Sequence, residues 1–155
     1  AIYLHSFVAT NNDLSRVENT GHNRAINRHQ WALEELTGLL NDAASQHAQC
    51  LHAIKHLIDL RQRQSAFHPN ATQFTLNCGR SIFGFWRQSL DRAQSVFCLY
   101  NVTSTSTTIA AASLNLVGND SWRDLISGEI LDLLSEDPSI ELAPYQAVWL
   151  TNTRT

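Results

Sequence analysis

The spacing of hydrophobic and polar positions changes twice along the chain, and the changes divide it into three stretches. Residues 2–8, IYLHSFV, form an apolar β-prone run that predicts a short buried strand. From 9 to 30 the pattern is polar and aperiodic, which predicts a long loop with one helical turn after Asp13, a suitable N-cap. Connections longer than about 12 to 15 residues in compact domains are usually functional or disordered. The segment Arg16 to His29, RVENTGHNRAINRH, is enriched in Arg, Asn and His, which fits a binding loop better than a Gly/Ser tether.

Apolar residues then recur at helical spacing. Leu33, Leu36 and Leu40 predict a helix over 31–41. Cys50, Leu51, Ile54, Leu57 and Ile58 predict a second over 45–65, with Ser45 as its N-cap and Gln49, Lys55, Asp59 and Arg63 off the apolar stripe. Pro69 ends that run, because the residue before a proline is pushed out of helical geometry. Beyond it the period becomes two, and strands are expected near 72–77, 82–89, 95–102, 107–116, 122–126, 129–134 and 140–151. Turn signals separate them at Cys78-Gly79-Arg80, Leu90-Asp91-Arg92, 103–108, Gly118-Asn119-Asp120, Ser127-Gly128 and Asp137-Pro138. Short strands at this spacing indicate an antiparallel sandwich or barrel. The expected fold is therefore α+β and divides near residue 70: a βα piece over 1–69, then an antiparallel, sandwich-like β domain over 70–155.

Composition narrows the function classes. With 155 residues, 43% hydrophobic and 16% charged, the chain is globular rather than disordered. A net charge of -3 with no broad basic face argues against nucleic-acid binding through phosphate neutralisation. No apolar run approaches the roughly 20 residues of a membrane span, and the N-terminus has no signal-peptide pattern, so a cytoplasmic protein is expected. Three cysteines, Cys50, Cys78 and Cys98, without CxxC spacing fit reduced thiols better than a disulfide framework. The glycosylation sequons at Asn70, Asn101 and Asn119 read as chance matches in polar turns. The chain has no Met and opens on Ala-Ile-Tyr-Leu, a run that needs neighbours on both faces. It reads as the middle of a larger protein, the alternative being a complete protein whose initiator Met was removed.

Few motifs carry chemistry. His52 and His56 lie four apart on the second predicted helix but lack both the Glu of HExxH and a third ligand, so two histidines on a helix flank are expected and no metal. There is no GxSxG elbow, P-loop or GxGxxG, and no cofactor is implied. Trp86, Trp122 and Trp149 fall in predicted strands, where core packing outweighs stacking on a sugar. Trp31 opens the first helix and is expected to pack on it. Arg24 and Arg28, four apart with Asn23 and Asn27 beside them, can present several donors to an anion or to sugar hydroxyls. Pairing of these arginines with Asp13 or Glu18 explains the spacing equally well.

The run AIYLHSFVATNNDLSRVENTGHNRAINRHQW, with LRQRQSAFHPNA, FGFWRQS and WRDLISG downstream, resembles the C-terminal part of the sucrose phosphorylase-like enzymes of glycoside hydrolase family 13, the α-amylase family. The similarity to the branch acting on glucosylglycerate is strongest around RVENTGHNRAINR. The resemblance implies that Ala1 to Ser6 form the eighth strand of a (β/α)₈ barrel, that 7–30 are its eighth βα loop at the catalytic face, that the helices over 31–65 close the barrel, and that 70–155 are a C-terminal β domain. It implies a retaining α-glucosyl transfer in which a carboxylate forms a glucosyl-enzyme and phosphate replaces water as acceptor. The catalytic carboxylates of such enzymes belong to earlier strands, so no catalytic residue is expected in this chain. The residues implied to bind substrate or phosphate are Arg24, with His22, Asn23, Asn27 and Arg28. His22-Asn23 stands where sucrose-specific members carry Asn-Gly, which favours glucosylglycerate or another anionic acceptor over fructose. The implied partners are a glucoside and inorganic phosphate, together with self-association through the N-terminal strand, and neither nucleic acid nor membrane. A carbohydrate-binding β-module with a helical extension, and a hydrolase or transglucosylase of the same family, remain the alternatives.

Overall fold

The computed structural model describes residues 2–114, 122–131 and 138–152. The chain forms two compact units, Ala1–Asp59 and Leu60–Thr155.

The first unit is helical. It contains α1 (Leu4–Phe7), α2 (Leu14–Thr20), a 3₁₀ turn at Asn23–Asn27, α3 (Leu33–Asn41) and most of α4 (Gln46–Gln62). The strand expected over 2–8 is absent. Residues 4–7 form one helical turn instead, in which the Phe7 amide donates to the Tyr3 carbonyl and the Val8 amide to the Leu4 carbonyl, each at 3.0 Å. The reason is that a strand satisfies its backbone only through a neighbouring strand. The first strand among the described residues begins at Thr72, so this segment bonds to itself. The barrel-strand role implied for residues 1–6 is thus not seen, and Ile2 and Leu4 are 53% and 54% exposed.

The two helix caps read from sequence are present. The Asp13 carboxylate accepts from the Arg16 amide at 2.9 Å, and the Ser45 hydroxyl accepts from the Ala48 amide at 3.2 Å. On α4, Leu51, Ile54, Leu57 and Ile58 are half-buried while Lys55 and Asp59 are exposed. Helix α2 ends at Gly21, whose φ of 67° is the left-handed conformation that glycine tolerates best.

The second unit follows a 3₁₀ turn at Ser65–Phe67 and has eight described strands: β1 (Thr72–Leu76), β2 (Ile82–Gln88), β3 (Ser95–Asn101), β4 (Thr107–Ala110), β5 (Trp122–Asp124), β6 (Ile130–Leu131), β7 (Ser139–Leu142) and β8 (Ala147–Thr151). Six of them form a sheet in the order β1-β2-β3-β8-β5-β6, and β4 pairs with β7 in a second sheet, with every pairing antiparallel. Phe97 and Leu99 of β3, Ile82 of β2 and Val148 and Leu150 of β8 meet Ile109 of β4 and Ile140 and Leu142 of β7 in one core. The opposite face of the larger sheet carries Val96, Cys98, Phe67 and Leu125. Central strand β3 is therefore buried on both faces, which explains why VFCL is continuously apolar rather than alternating. Desolvation pushes the Cys98 thiol up to about 12, and all three cysteines are free.

Two predicted strands change character. The stretch 140–151 is not one strand but β7 and β8, which belong to different sheets. Pro144 cannot donate to a ladder, Tyr145 takes φ 57°, and the Gln146 amide closes the turn onto the Ala143 carbonyl at 3.1 Å. The stretch 107–116 leaves strand geometry after Ala110 for a 3₁₀ turn at Ala111–Leu114. Its last two residues, the Gly118-Asn119-Asp120 signal, Asp137 and the second half of the strand expected over 129–134 lie outside the described residues.

The tryptophans pack. Trp86 stacks on Phe97 with 5.6 Å between centroids and on Phe74 with 4.8 Å, Trp122 meets the edge of Phe97, and Trp149 meets Phe67 and donates to the Tyr100 hydroxyl at 3.0 Å. Trp31 precedes α3 and sits instead against His29 and His47. The Asn101 side chain is buried and donates to the carbonyls of Thr105, Leu142 and Ala143, so that sequon is occupied by structure.

Candidate functional site

The polar segment between α1 and α3 folds around a single carboxylate. Asp13 accepts from the Arg16 amide and the Ser15 hydroxyl on one oxygen and from His29 Nδ1 on the other, each at 2.9 Å, while its own amide donates to the Ile26 carbonyl at 2.7 Å. The His29 hydrogen bond, then those from the Arg16 amide and Ser15, hold its carboxyl down at about 2. After Gly21 the chain enters the 3₁₀ turn with Ala25 buried beneath it, its amide donating to the His22 carbonyl at 2.9 Å and the Arg28 amide to the Ala25 carbonyl at 3.1 Å.

This turn forms one wall of a cavity of about 550 Å³, and α2 forms the other. Arg24, Arg28, His22 and Asn23 line it from the turn, and Arg16 and Thr20 from the helix. Three guanidiniums thus border one recess, and no carboxylate is among its lining residues. No ion pair joins Arg24 or Arg28 to Asp13 or Glu18; the Asp13 carboxylate is engaged by His29 instead. Such a set of forked donors around an open volume suits a phosphate or carboxylate, because each guanidinium can supply two parallel charge-assisted hydrogen bonds.

Of the five residues singled out in the sequence, the structure brings His22, Asn23, Arg24 and Arg28 together. Asn27 lies on a separate recess of about 260 Å³ with Asn11 and Asn12, and its carbonyl accepts from the Tyr3 hydroxyl at 3.2 Å. Arg16 and Thr20 were not singled out. Their four-residue spacing is the signal for one helix face, but it acquires meaning only once α2 is a helix of two turns rather than one. Arg16 also donates to Gln30 Oε1 at 3.0 Å, which fixes its guanidinium across the mouth of the segment. His52 and His56 are exposed on α4, and the described residues contain no group of three side chains able to hold a metal ion. Among them there is also no helix long and apolar enough to cross a membrane.

No protein-family model matches the chain. It is similar to curated proteins called glucosylglycerate phosphorylase from three organisms. One, from Escherichia coli strain K12, is 36% identical over 153 residues, covering 97% of this chain and 25% of that protein. Another, from Spirochaeta thermophila, is 31% identical over 159 residues, covering 99% and 27%. The chain therefore spans about a quarter of the length of these relatives. Among solved structures, an Anoxybacillus α-amylase superposes with a TM-score of 0.62 at 14% identity, over 84% of this chain and 26% of that one, a likeness of fold.

Proposed function

We infer, for a chain homologous along nearly its whole length to about a quarter of the glucosylglycerate phosphorylases, that it forms the anion-binding wall of an α-glucosyl-transfer site. The observation that carries this reading is the cavity bordered by Arg16, Arg24 and Arg28 with no carboxylate in its lining. In the reaction, a carboxylate from outside this chain attacks the anomeric carbon and breaks the glycosidic bond, the departing acceptor oxygen taking a proton from an acid/base partner also outside this chain. Phosphate then displaces the carboxylate from the glucosyl-enzyme to give glucose 1-phosphate. The arginine cavity contributes no bond-making group. It holds the incoming phosphate, or the carboxylate of an anionic acceptor such as glycerate, and offsets charge that would repel a carboxylate nucleophile. Arg24 is the central member because it sits in the turn itself, between His22-Asn23 and Arg28. Its planar fork matches either anion in two-point contact, which a lysine ammonium does not.

In a full-length enzyme carrying this segment, Arg24→Ala is expected to lower phosphorolysis at least about tenfold, equivalent to ~1.4 kcal/mol of transition-state stabilisation. Slow hydrolysis of the glucosyl-enzyme should largely survive, because water needs no anion site. Release of glucose 1-phosphate and of free glucose, measured side by side, tests this: an unchanged product ratio in the variant rejects the anion-binding role.

A further inference from the structure

Every residue named above in the cavity wall, from Arg16 to Arg28, lies in the stretch between Asp13 and His29, and those two residues are joined to each other. We propose that the Asp13–His29 pair is a clamp that sets the spacing of the three arginines before an anion arrives, which makes His29 a positioning residue for the site. The proposal rests on the anion-site reading of the cavity.

The clamp is built on three levels. At its centre, one Asp13 oxygen accepts from His29 Nδ1 while the other caps α2, so the same carboxylate fixes the first helix turn and the chain sixteen residues later. Around it, the Asp13 amide donates to the Ile26 carbonyl at 2.7 Å and Arg16 Nη1 to Gln30 Oε1 at 3.0 Å, which brace the same two strands of chain. Outside it, the His29 ring meets the edge of Trp31 with centroids 4.5 Å apart, and Trp31 Nε1 donates to the Thr10 hydroxyl at 3.0 Å.

The chemistry gives the pair a direction. An ionised carboxylate can only accept, so the His29 proton facing Asp13 is on Nδ1. Nε2 is buried with no hydrogen-bond partner, so the polar hold on the ring comes through Nδ1 alone. Without that bond, the segment between Asp13 and His29 is closed mainly by backbone contacts and turns at Gly21, where φ is 67°. The arginines would then have to be gathered by the anion itself. Ordering a loop during binding subtracts from affinity, whereas ordering it beforehand does not.

The test compares the unsubstituted chain with His29→Leu, His29→Asn and Asp13→Asn. An Asn side chain at position 29 places its amide where the ring carries Nδ1 and so can still donate to Asp13. Asp13→Asn keeps an N-cap of equal quality for α2 but turns an amide donor toward His29 Nδ1. The bond can then re-form only if the ring proton moves to the buried, unpartnered Nε2, where it is left as an unsatisfied donor. The variant thus probes the clamp in a chain whose helix is retained. Two quantities are read: the dissociation constant for inorganic phosphate by calorimetry, and hydrogen exchange at the Asp13 and Arg16 amides without phosphate. His29→Leu and Asp13→Asn are expected to weaken phosphate binding at least about tenfold and to speed exchange at the Asp13 amide, while His29→Asn stays within about threefold of the unsubstituted chain on both readouts. Should His29→Leu fail to fold, the contrast between Asp13→Asn and His29→Asn carries the same decision. A phosphate affinity unchanged in Asp13→Asn, or lost equally in His29→Asn, overturns the positioning role. An unsubstituted chain that binds no phosphate, yet shows faster exchange in Asp13→Asn, rejects the anion reading of the cavity and leaves the clamp standing.

Discussion

Asp13 joins a helix cap, a side-chain hydroxyl and a histidine through two oxygens, and its titration follows from those contacts. They lower its carboxyl from an ordinary 3.8 to about 2. A group whose value falls on folding stabilises the folded state fully above its unfolded value and loses that contribution as pH drops through the folded one. The window here runs from about 4 down to about 2. Asn at the same position has no such proton to bind, so the stability gap between the unsubstituted chain and Asp13→Asn should narrow as pH falls across that window. Thermal unfolding at several pH values checks it, and a gap that stays constant from pH 5 to 2 contradicts the assignment. At this scale the sequence was legible where chemistry is local. Asp13 as a cap, and Arg24 and Arg28 with Asn23 and Asn27 beside them, follow from spacing within a few residues, whereas His22 came only from the family resemblance and Asn27 lies on a separate recess. The bond from Asp13 to His29 spans sixteen positions, and no local pattern announces it.

Among the elements, β2 shows how packing constrains a single position. Gly84 pairs with Leu76 on one side and Leu99 on the other, and a Cβ placed there would lie 2.7 Å from Cys78 Sγ and 3.2 Å from Leu99 Cδ2. Gly84→Ala should therefore destabilise the β unit by about 1–3 kcal/mol, the range for overpacking a filled core. Urea unfolding of Gly84→Ala, Cys78→Ala and the double variant tests the contact, since removing the sulfur should restore part of the loss. Strict additivity of the two changes would mean that they do not meet. Helices α3 and α4 and the antiparallel character of the β unit were readable because apolar period and caps are properties of one segment. The single strand expected over 140–151 was not, because Pro144 and Tyr145 turn the chain between two sheets. An alternating pattern looks the same on either side of such a turn.

For the whole molecule, the proposed chemistry makes a strong demand. Retaining glycosyl transfer needs a nucleophilic carboxylate and an acid/base partner roughly 5 to 5.5 Å apart across the scissile bond, and the arginine cavity is lined by neither. The 155-residue chain on its own is expected to release no glucose 1-phosphate from an α-glucoside with phosphate above background. Turnover that co-purifies with the chain and is lost in Arg24→Ala would place the full reaction within it and overturn that expectation. The sequence by itself determined the change from a helical period to a period of two near Pro69, the concentration of Arg, Asn and His between Arg16 and His29, and a family resemblance matched by relatives 36% and 31% identical. These depend on residue type and short-range period, which a sequence displays directly. Only the tertiary structure decided that residues 4–7 close a helical turn, that Arg16 joins the site while Asn27 leaves it, and that Asp13 reaches His29. Each of those depends on whether a distant backbone or side-chain partner is in reach, and a buried or paired polar group takes whichever partner the fold supplies.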